Sequence, residues 1–289
     1  MGVPAFPALK PLGLEDQGLV EEFLGTYPPE VCELNFANLF IWRSIERPRL
    51  TLVGGHLCIF VEPPGEPPYA LPPVGPGPYT EAVEACLAIA PRLGRVPESI
   101  AGALGPGFRT EPDPDNFDYV YKRSDLAELK GKRYDGKRNR IRKFEREHAH
   151  AIRELGPDCL VDCRRLFDEW LEAKAGNGWD LEAQRSVVGE ALLHFRELGL
   201  RGGGVEVDGR LAAFSIGARL NRDTALCMIE IVDPAVDGLA QLINREFARR
   251  AWPDAAYINR EQDMGIEGLR RAKQSYHPDR LVRKFNVAK

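Results

Sequence analysis

Tyr257-Ile258-Asn259-Arg260-Glu261-Gln262-Asp263-Met264-Gly265, continuing as Ile266-Glu267-Gly268-Leu269-Arg270-Arg271-Ala272-Lys273-Gln274-Ser275-Tyr276-His277-Pro278, is the stretch that decides how this chain reads. Ala255, Ala256, Tyr257 and Ile258 open a strand, expected over 256–262. Ile266, Leu269, Ala272 and Tyr276 recur at helical spacing and predict a helix over 266–276. Between the two stand five consecutive polar side chains, Asn259 to Asp263, which are costly to bury without partners. Such a run at a strand end commonly faces a cleft beside the sheet. A solvated strand-to-helix loop is the plain alternative. On a strand, Asn259, Glu261 and Asp263 share one face, and the helical seam turns Tyr276 back toward it.

The chain has 289 residues, 44% hydrophobic and 28% charged, enough for one large domain or two smaller ones with a full core. Its sequence holds no apolar run near the ~20 residues that cross a bilayer. Residues 1–10 lack the charged head and apolar stretch of a signal peptide. Gly2 suggests myristoylation, but Phe6 stands where that signal needs Ser or Thr. A cytoplasmic location is expected.

Six cysteines agree with a reducing compartment. Cys32, Cys58, Cys86 and Cys227 stand singly among apolar residues and read as small core side chains. Cys159 and Cys163, with His148 and His150 upstream, fit no familiar zinc spacing, so no metal is expected.

Charge is unevenly placed. The whole chain carries 39 basic and 43 acidic residues, a net of −4. Between Lys122 and Arg146 stand eleven basic and four acidic residues, a local net of +7. From Lys137 to His148 only Ile141, Phe144 and His148 fall on one helical face, leaving a broad basic front. Lys137 and Arg138 lie early in that helix, where the dipole disfavours cations by a few tenths to about 1 kcal/mol each. An anionic partner offsets this through charge-assisted phosphate contacts. Lys132, Arg133, Lys137, Arg138, Arg140 and Arg142 are therefore candidate nucleic-acid contacts, against the alternative of a solvated face.

Helices are expected at 14–26, 35–44 and 80–93, the last capped by Thr80, with short strands at 50–53 and 57–61. Glu111-Pro112-Asp113-Pro114-Asp115 marks a boundary between halves 1–115 and 116–289. In the second half, helices at 158–175 and 181–198 precede a hairpin over Asp208-Gly209. A strand at 224–232, a helix at 238–251, the strand and helix quoted above, and a strand at 281–287 complete an α/β chain. That element order is the order of the GNAT N-acetyltransferase fold.

Three blocks make a resemblance specific. They are Asn259–Gly265 with Gly268-Leu269-Arg270, Lys273, Ser275-Tyr276 and Pro278; Leu129–Lys132 with Lys137-Arg138-Asn139 and Phe144; and Glu33–Phe36 with Phe40-Ile41-Trp42. Together they resemble a soluble family related to the C-terminal domain of phosphatidylglycerol lysyltransferase. The resemblance implies two GNAT-like subdomains in tandem, as in the Fem-type peptidyltransferases. It also implies transfer of an aminoacyl group from a charged tRNA to an amine or lipid hydroxyl, with the basic helix near the tRNA acceptor stem. The lysyltransferase's membrane-spanning region has no counterpart here, so the acceptor stays open.

In GNAT enzymes the pyrophosphate of coenzyme A lies on a Gly-rich turn that opens a helix. The matching turn here, Asp233-Pro234-Ala235-Val236-Asp237-Gly238-Leu239, has one glycine and two aspartates, which disfavours acyl-CoA as donor. The resemblance also implies a tyrosine acid four residues after an alanine. Ala272 and Tyr276 keep that spacing, although Leu269 replaces the usual asparagine.

Acyl transfer needs a group that moves the nucleophile's proton and donors for the developing oxyanion. The candidates are Glu261, Asp263 and Tyr276 for catalysis, with Glu261 or Asp263 serving as base or as cation recognition. Asn259, Arg260, Arg270 and Lys273 are candidates for substrate binding. Each has an alternative role in a hydrogen-bond network tying strand to helix. An aminoacyl- or acyltransferase without a bound cofactor is the expectation. An acetyl-CoA-dependent N-acetyltransferase and a non-catalytic RNA-binding module are the rivals.

Overall fold

A computed structural model describes residues 2–174 and 180–289, leaving aside the side chain of Pro157. The end of the helix expected at 158–175 thus lies in part outside the described residues. Fifteen strands fall into three sheets among the described residues.

The first sheet takes β1 (Lys10–Pro11), β2 (Arg49–Val53), β3 (His56–Val61), β4 (Tyr69–Ala70), β5 (Leu93–Pro97) and β6 (Arg109–Pro112). The remaining strands are β7 (Asp118–Lys122), β8 (His150–Glu154), β9 (Arg201–Val207), β10 (Arg210–Gly217), β11 (Thr224–Leu226), β12 (Ile229–Val232), β13 (Tyr257–Asn259), β14 (Arg280–Val282) and β15 (Lys284–Ala288). Their order is β1-β2-β3-β4-β5-β15-β6 in the first sheet, β12-β10-β9-β8 in the second and β11-β13-β7-β14 in the third.

The chain's last strand therefore lies within the sheet of its first half. β15 pairs antiparallel with β5 (Lys284 opposite Pro97) and with β6 (Phe285 opposite Pro112). We keep 1–115 and 116–289 as the proposed division, with this one strand crossing it.

A second departure builds the site. The strand expected at 224–232 is broken at Cys227-Met228. Its first part, β11, runs parallel to β13, while its second part, β12, pairs antiparallel with β10. The break is held open by two backbone bonds in opposite directions: Cys227 N–H donates to Asn259 C=O (2.8 Å) and Met228 N–H to Ile216 C=O (3.0 Å). Where the strands part, only a glycine fits at 217, because a Cβ there would stand 1.9 Å from the Leu226 carbonyl oxygen.

The basic segment forms the helix Asp135–Glu147, which buries Ile141 and Phe144 as its apolar seam requires. It packs on the turn before the helix Leu239–Glu246. Gly238 sits there at φ +86°, and a Cβ on it would lie 2.5 Å from the Arg140 carbonyl oxygen. The helix Thr80–Leu87 is shorter than expected, and Thr80 is its first residue rather than its cap. Leu93 begins β5 instead.

Candidate active site

A cavity of about 650 Å³ occupies the split between β12 and β13, within the range of small-molecule sites. Cys227–Ile231 line one wall and Arg260, Glu261 and Gln262 the other. Glu33, Asn38, Trp42, Glu46 and Arg95 reach it from the first half, and Trp170, Val187 and Val188 from two helices of the second.

Glu261 is the sequence-derived catalytic candidate that lines this space. Strand pairing stops at Asn259, and Glu261 adopts a left-handed φ of +57°, so the alternation assumed for 259, 261 and 263 is lost. The turn is pinned from inside. Buried Lys273 donates to the carbonyls of Arg260 (2.5 Å), Glu261 (3.1 Å) and Gln262 (2.5 Å). Glu261 N–H donates to Asn259 Oδ1 at 2.7 Å, and Glu261 Oε1 accepts from Asn38 Nδ2 at 3.1 Å. Burial pushes the Glu261 carboxyl above the ordinary carboxylate range, with Lys273 opposing. Burial lowers Lys273 in turn, and the nearby Arg260 charge lowers it further.

The other candidates are placed differently. Asp263 does not line the cavity and is 1% exposed. It accepts from Tyr119 Oη (2.6 Å), from Arg270 Nε (2.8 Å) and Nη2 (3.0 Å), and from Gly265 N–H (2.9 Å). These donors outweigh its burial and hold its carboxyl below the usual range. Asp263 and Arg270 thus form an ion pair that fixes the loop, and the catalytic reading of Asp263 is withdrawn. Asn259 is fully buried and donates to Asp118 Oδ2 at 2.9 Å, again within the framework. Arg260 lines the cavity while both Glu230 oxygens accept from its Nη2 at 3.2 Å.

The helix Glu267–Gln274 buries Lys273, while Ala272 and Ile266 are exposed, so the expected seam is rotated. The three carbonyls of the 260–262 turn account for this, since they need a donor from below. Tyr276 lies outside the cavity wall. Its ring is near two cations, Lys137 Nζ at 4.0 Å from the centroid and the Arg260 guanidinium at 5.2 Å. Its carbonyl accepts from Tyr134 Oη at 3.0 Å.

Of the six candidate nucleic-acid contacts, Lys132, Arg140 and Arg142 are exposed and have no ion pair among the described residues. Arg133 pairs with Asp125 at 2.8 Å, and Lys137 donates to Ser275 Oγ at 2.7 Å. Arg138 donates to the Leu129 and Gly131 carbonyls and pairs with Asp135. Arg133, Lys137 and Arg138 therefore hold the segment's own shape, and the outward front is Lys132, Arg140 and Arg142, extended by Arg146.

Beside the cavity lies a buried charge cluster that the sequence reading missed. Lys284 Nζ, 0% exposed, donates to Asp118 Oδ1 (2.6 Å) and to both Glu33 oxygens (2.8 and 2.7 Å). Cys32 joins it, its N–H donating to Asp118 Oδ2 at 2.9 Å, so this cysteine is no simple core filler. Cys32, Glu33 and Asp118 are close enough to hold a cation, and the Lys284 ammonium occupies that place. Glu33 and Asn35, inside one of the quoted sequence blocks, were the available signal. All six cysteines are buried and free. Cys159 and Cys163 belong to one core cluster, whereas His148 and His150 pack on Phe144 of another.

The turn at 233–238 carries carboxylates and close backbone contacts where a pyrophosphate would lie. Asp233 Oδ1 already accepts the Ala235 N–H at 2.9 Å, Asp237 faces Lys143 at 3.4 Å, and Gly238 abuts the Arg140 carbonyl. One backbone donor that would face an anion, the Ala235 N–H, is thus already met by a carboxylate.

The sequence model of the family described as phosphatidylglycerol lysyltransferase, C-terminal, matches residues 25–288. The chain belongs to this family. A conserved protein of unknown function from Bacteroides thetaiotaomicron VPI-5482 is 31% identical, with a TM-score of 0.90 over 96% of this chain and 98% of its own. L-PGS from Bacillus licheniformis is 14% identical, with a TM-score of 0.65 over 100% and 93%. FemX is 10% identical, with a TM-score of 0.59 over 96% and 96%. At those lower identities the likeness is one of fold, and the fold is tandem GNAT-like, as the resemblance implied. No match was found among curated proteins. Among the described residues no helix is long and apolar enough to cross a membrane.

Proposed function

We propose that this member of the phosphatidylglycerol lysyltransferase C-terminal family is an aminoacyltransferase that draws its acyl group from an aminoacyl-tRNA and passes it to an amine or hydroxyl. The observation that carries the reading is the stack Lys137–Tyr276–Arg260. One end of it belongs to the basic helix and the other to the cavity wall. A phosphate backbone on Lys132, Arg140 and Arg142 would thus have its acylated end within reach of Glu261. Coenzyme A is disfavoured as donor by the filled turn at 233–238.

In the transfer the nucleophile's N–H or O–H proton is lost as its bond to the ester carbonyl carbon forms. The ester C–O bond then breaks and the ribose oxygen departs with a proton. Glu261, its carboxyl raised toward neutrality by burial, is the group suited to accept the first proton and return the second. Arg260 places positive charge at the cavity wall where the oxyanion develops. Lys273 acts through the three carbonyls of the 260–262 turn and is a positioning residue.

The test is incubation with tRNA charged with labelled amino acids, scoring label on a small product. Glu261→Gln should cut turnover by ~10²–10⁴ while tRNA binding stays unchanged. Consumption of acetyl-CoA without tRNA binding would favour the acetyltransferase instead. Tight tRNA binding with no label ever leaving it would leave an RNA-binding module.

A further inference from the structure

In the cavity's first-half wall the carboxyls are matched by cations with one exception, while Glu261 on the other wall has a hydrogen bond from Asn38 and no ion pair among the described residues. Glu33 is met by Lys284 and Arg95, Asp113 by Arg95 at 2.6 Å and Glu66 by Arg92 at 2.8 Å. On the opposite wall Glu230 is met by Arg260, and at the mouth Asp115 by Arg270. Glu46 lines the same cavity, and its carboxyl has neither a hydrogen bond nor an ion pair among the described residues. A half-buried cavity carboxyl with no direct partner, influenced only at a distance by Arg95, is a place for a ligand's cation.

Position narrows the ligand. Glu33 and Glu46 line the cavity from the first half of the chain and Glu261 from the second, so carboxyls face the space from both sides. The same lining carries Leu39, Ile41, Ile229 and Ile231. An occupant with a positive end at Glu46, a short apolar stem and a reactive end at Glu261 meets all three surfaces.

We propose that the acyl acceptor is a small diamine, anchored by one ammonium at Glu46 while its other nitrogen attacks the acyl carbonyl. This rests on the aminoacyltransferase reading above and names its acceptor. The attacking nitrogen enters as the free amine, the N–C bond forms as the ester C–O bond breaks, and the amine's proton leaves on the ribose oxygen. The products are an amide and uncharged tRNA. An anionic phospholipid headgroup would instead meet the unpaired Glu46 at like charge.

The test is calorimetric titration of the intact protein with 1,5-diaminopentane and with pentylamine at pH 8, beside co-sedimentation with phosphatidylglycerol vesicles. The diamine should bind at least tenfold more tightly than the monoamine, and the vesicles should leave the protein in solution. Glu46→Gln, checked for a single cooperative melting transition no lower than the parent's, should bring the diamine down to the level of the monoamine. Equal affinity of the unmutated protein for the two amines overturns the proposal without any variant. Vesicle binding in the absence of diamine binding overturns it in favour of a lipid. Filter binding of tRNA is scored separately: loss of tRNA binding with the diamine still bound defeats the donor reading alone.

Discussion

Lys284 Nζ lies 2.6 Å from Asp118 Oδ1, and both side chains are wholly buried. Lys284 opens the strand inserted between β5 and β6, while Asp118 opens β7 of the third sheet, so the pair ties two sheets beside the cavity. Its neighbours raise the Lys284 ammonium above its ordinary range despite burial, with Asp118 the largest contributor.

Removing that cation should leave Asp118 buried with no counter-charge and Glu33 with Arg95 alone. Lys284→Met is expected to cost about 3–5 kcal/mol of stability, read from denaturant unfolding. A cost below ~1 kcal/mol would mean that the carboxyls find water or protonate at little expense.

Asp263→Asn tests the reassigned ion pair. With Arg270 and Tyr119 losing an ionised acceptor, stability should fall by about 1–3 kcal/mol. The sign of the pH effect is set by the depressed carboxyl. Its contribution is present above the ordinary aspartate pKa of about 3.9 and is lost as pH falls through the lower folded value. Melting curves between pH 2 and 7 should therefore converge for parent and variant at the acid end.

Glu46 gives the opposite sign. Burial, the largest cause, and the nearby Glu33 push its carboxyl up to about 7, with Arg95 opposing and Glu66 adding a little. A raised carboxyl favours folding below its unfolded pKa, near 4.5, and that contribution is lost as pH rises toward 7. Relative to the parent, Glu46→Gln should thus be more stable at pH 8 than at pH 5, as thermal melts at the two pH values would show.

The basic front should separate into two classes of variant. Changing Lys132, Arg140 and Arg142 together to Ala should leave folding intact and reduce the slope of log K against log salt by about 2–3. Arg138→Ala should instead lower the melting temperature, because Arg138 holds the Leu129 and Gly131 carbonyls. A salt slope unchanged in the triple variant would reduce the front to a solvated face.

Gly238→Ala should be destabilising by about 1–2 kcal/mol from the left-handed backbone alone. The clash with the Arg140 carbonyl adds to this by lifting the basic helix from its turn. Lower tRNA affinity with the exposed arginines intact would accompany it.

Much of the fold was readable because hairpins, breakers and helical periodicity are local. Asp208-Gly209 turns where expected, and the strand and helix flanking 259–265 are both present. The site was less readable, since the same-face argument assumed a strand through Asp263 whereas pairing ends at Asn259. β5 and β6 escaped because Gly94, Arg95 and Pro112 give them no strand-like alternation, and β6 is exposed throughout. Glu46 and Lys284 carry no local signal at all. Their roles come from partners, or the want of one, far away in the chain.

The exchange of β15 into the first sheet has a kinetic consequence. A seven-stranded sheet whose penultimate member comes from the distant end of the sequence closes only after the intervening chain has returned. Contacts of such long sequence separation slow folding. Until they form, β5 and β6 present open edges to any passing strand. Neither half should then renature as a clean unit when expressed alone, and a chain cut between them should recover only when both pieces fold in one vessel.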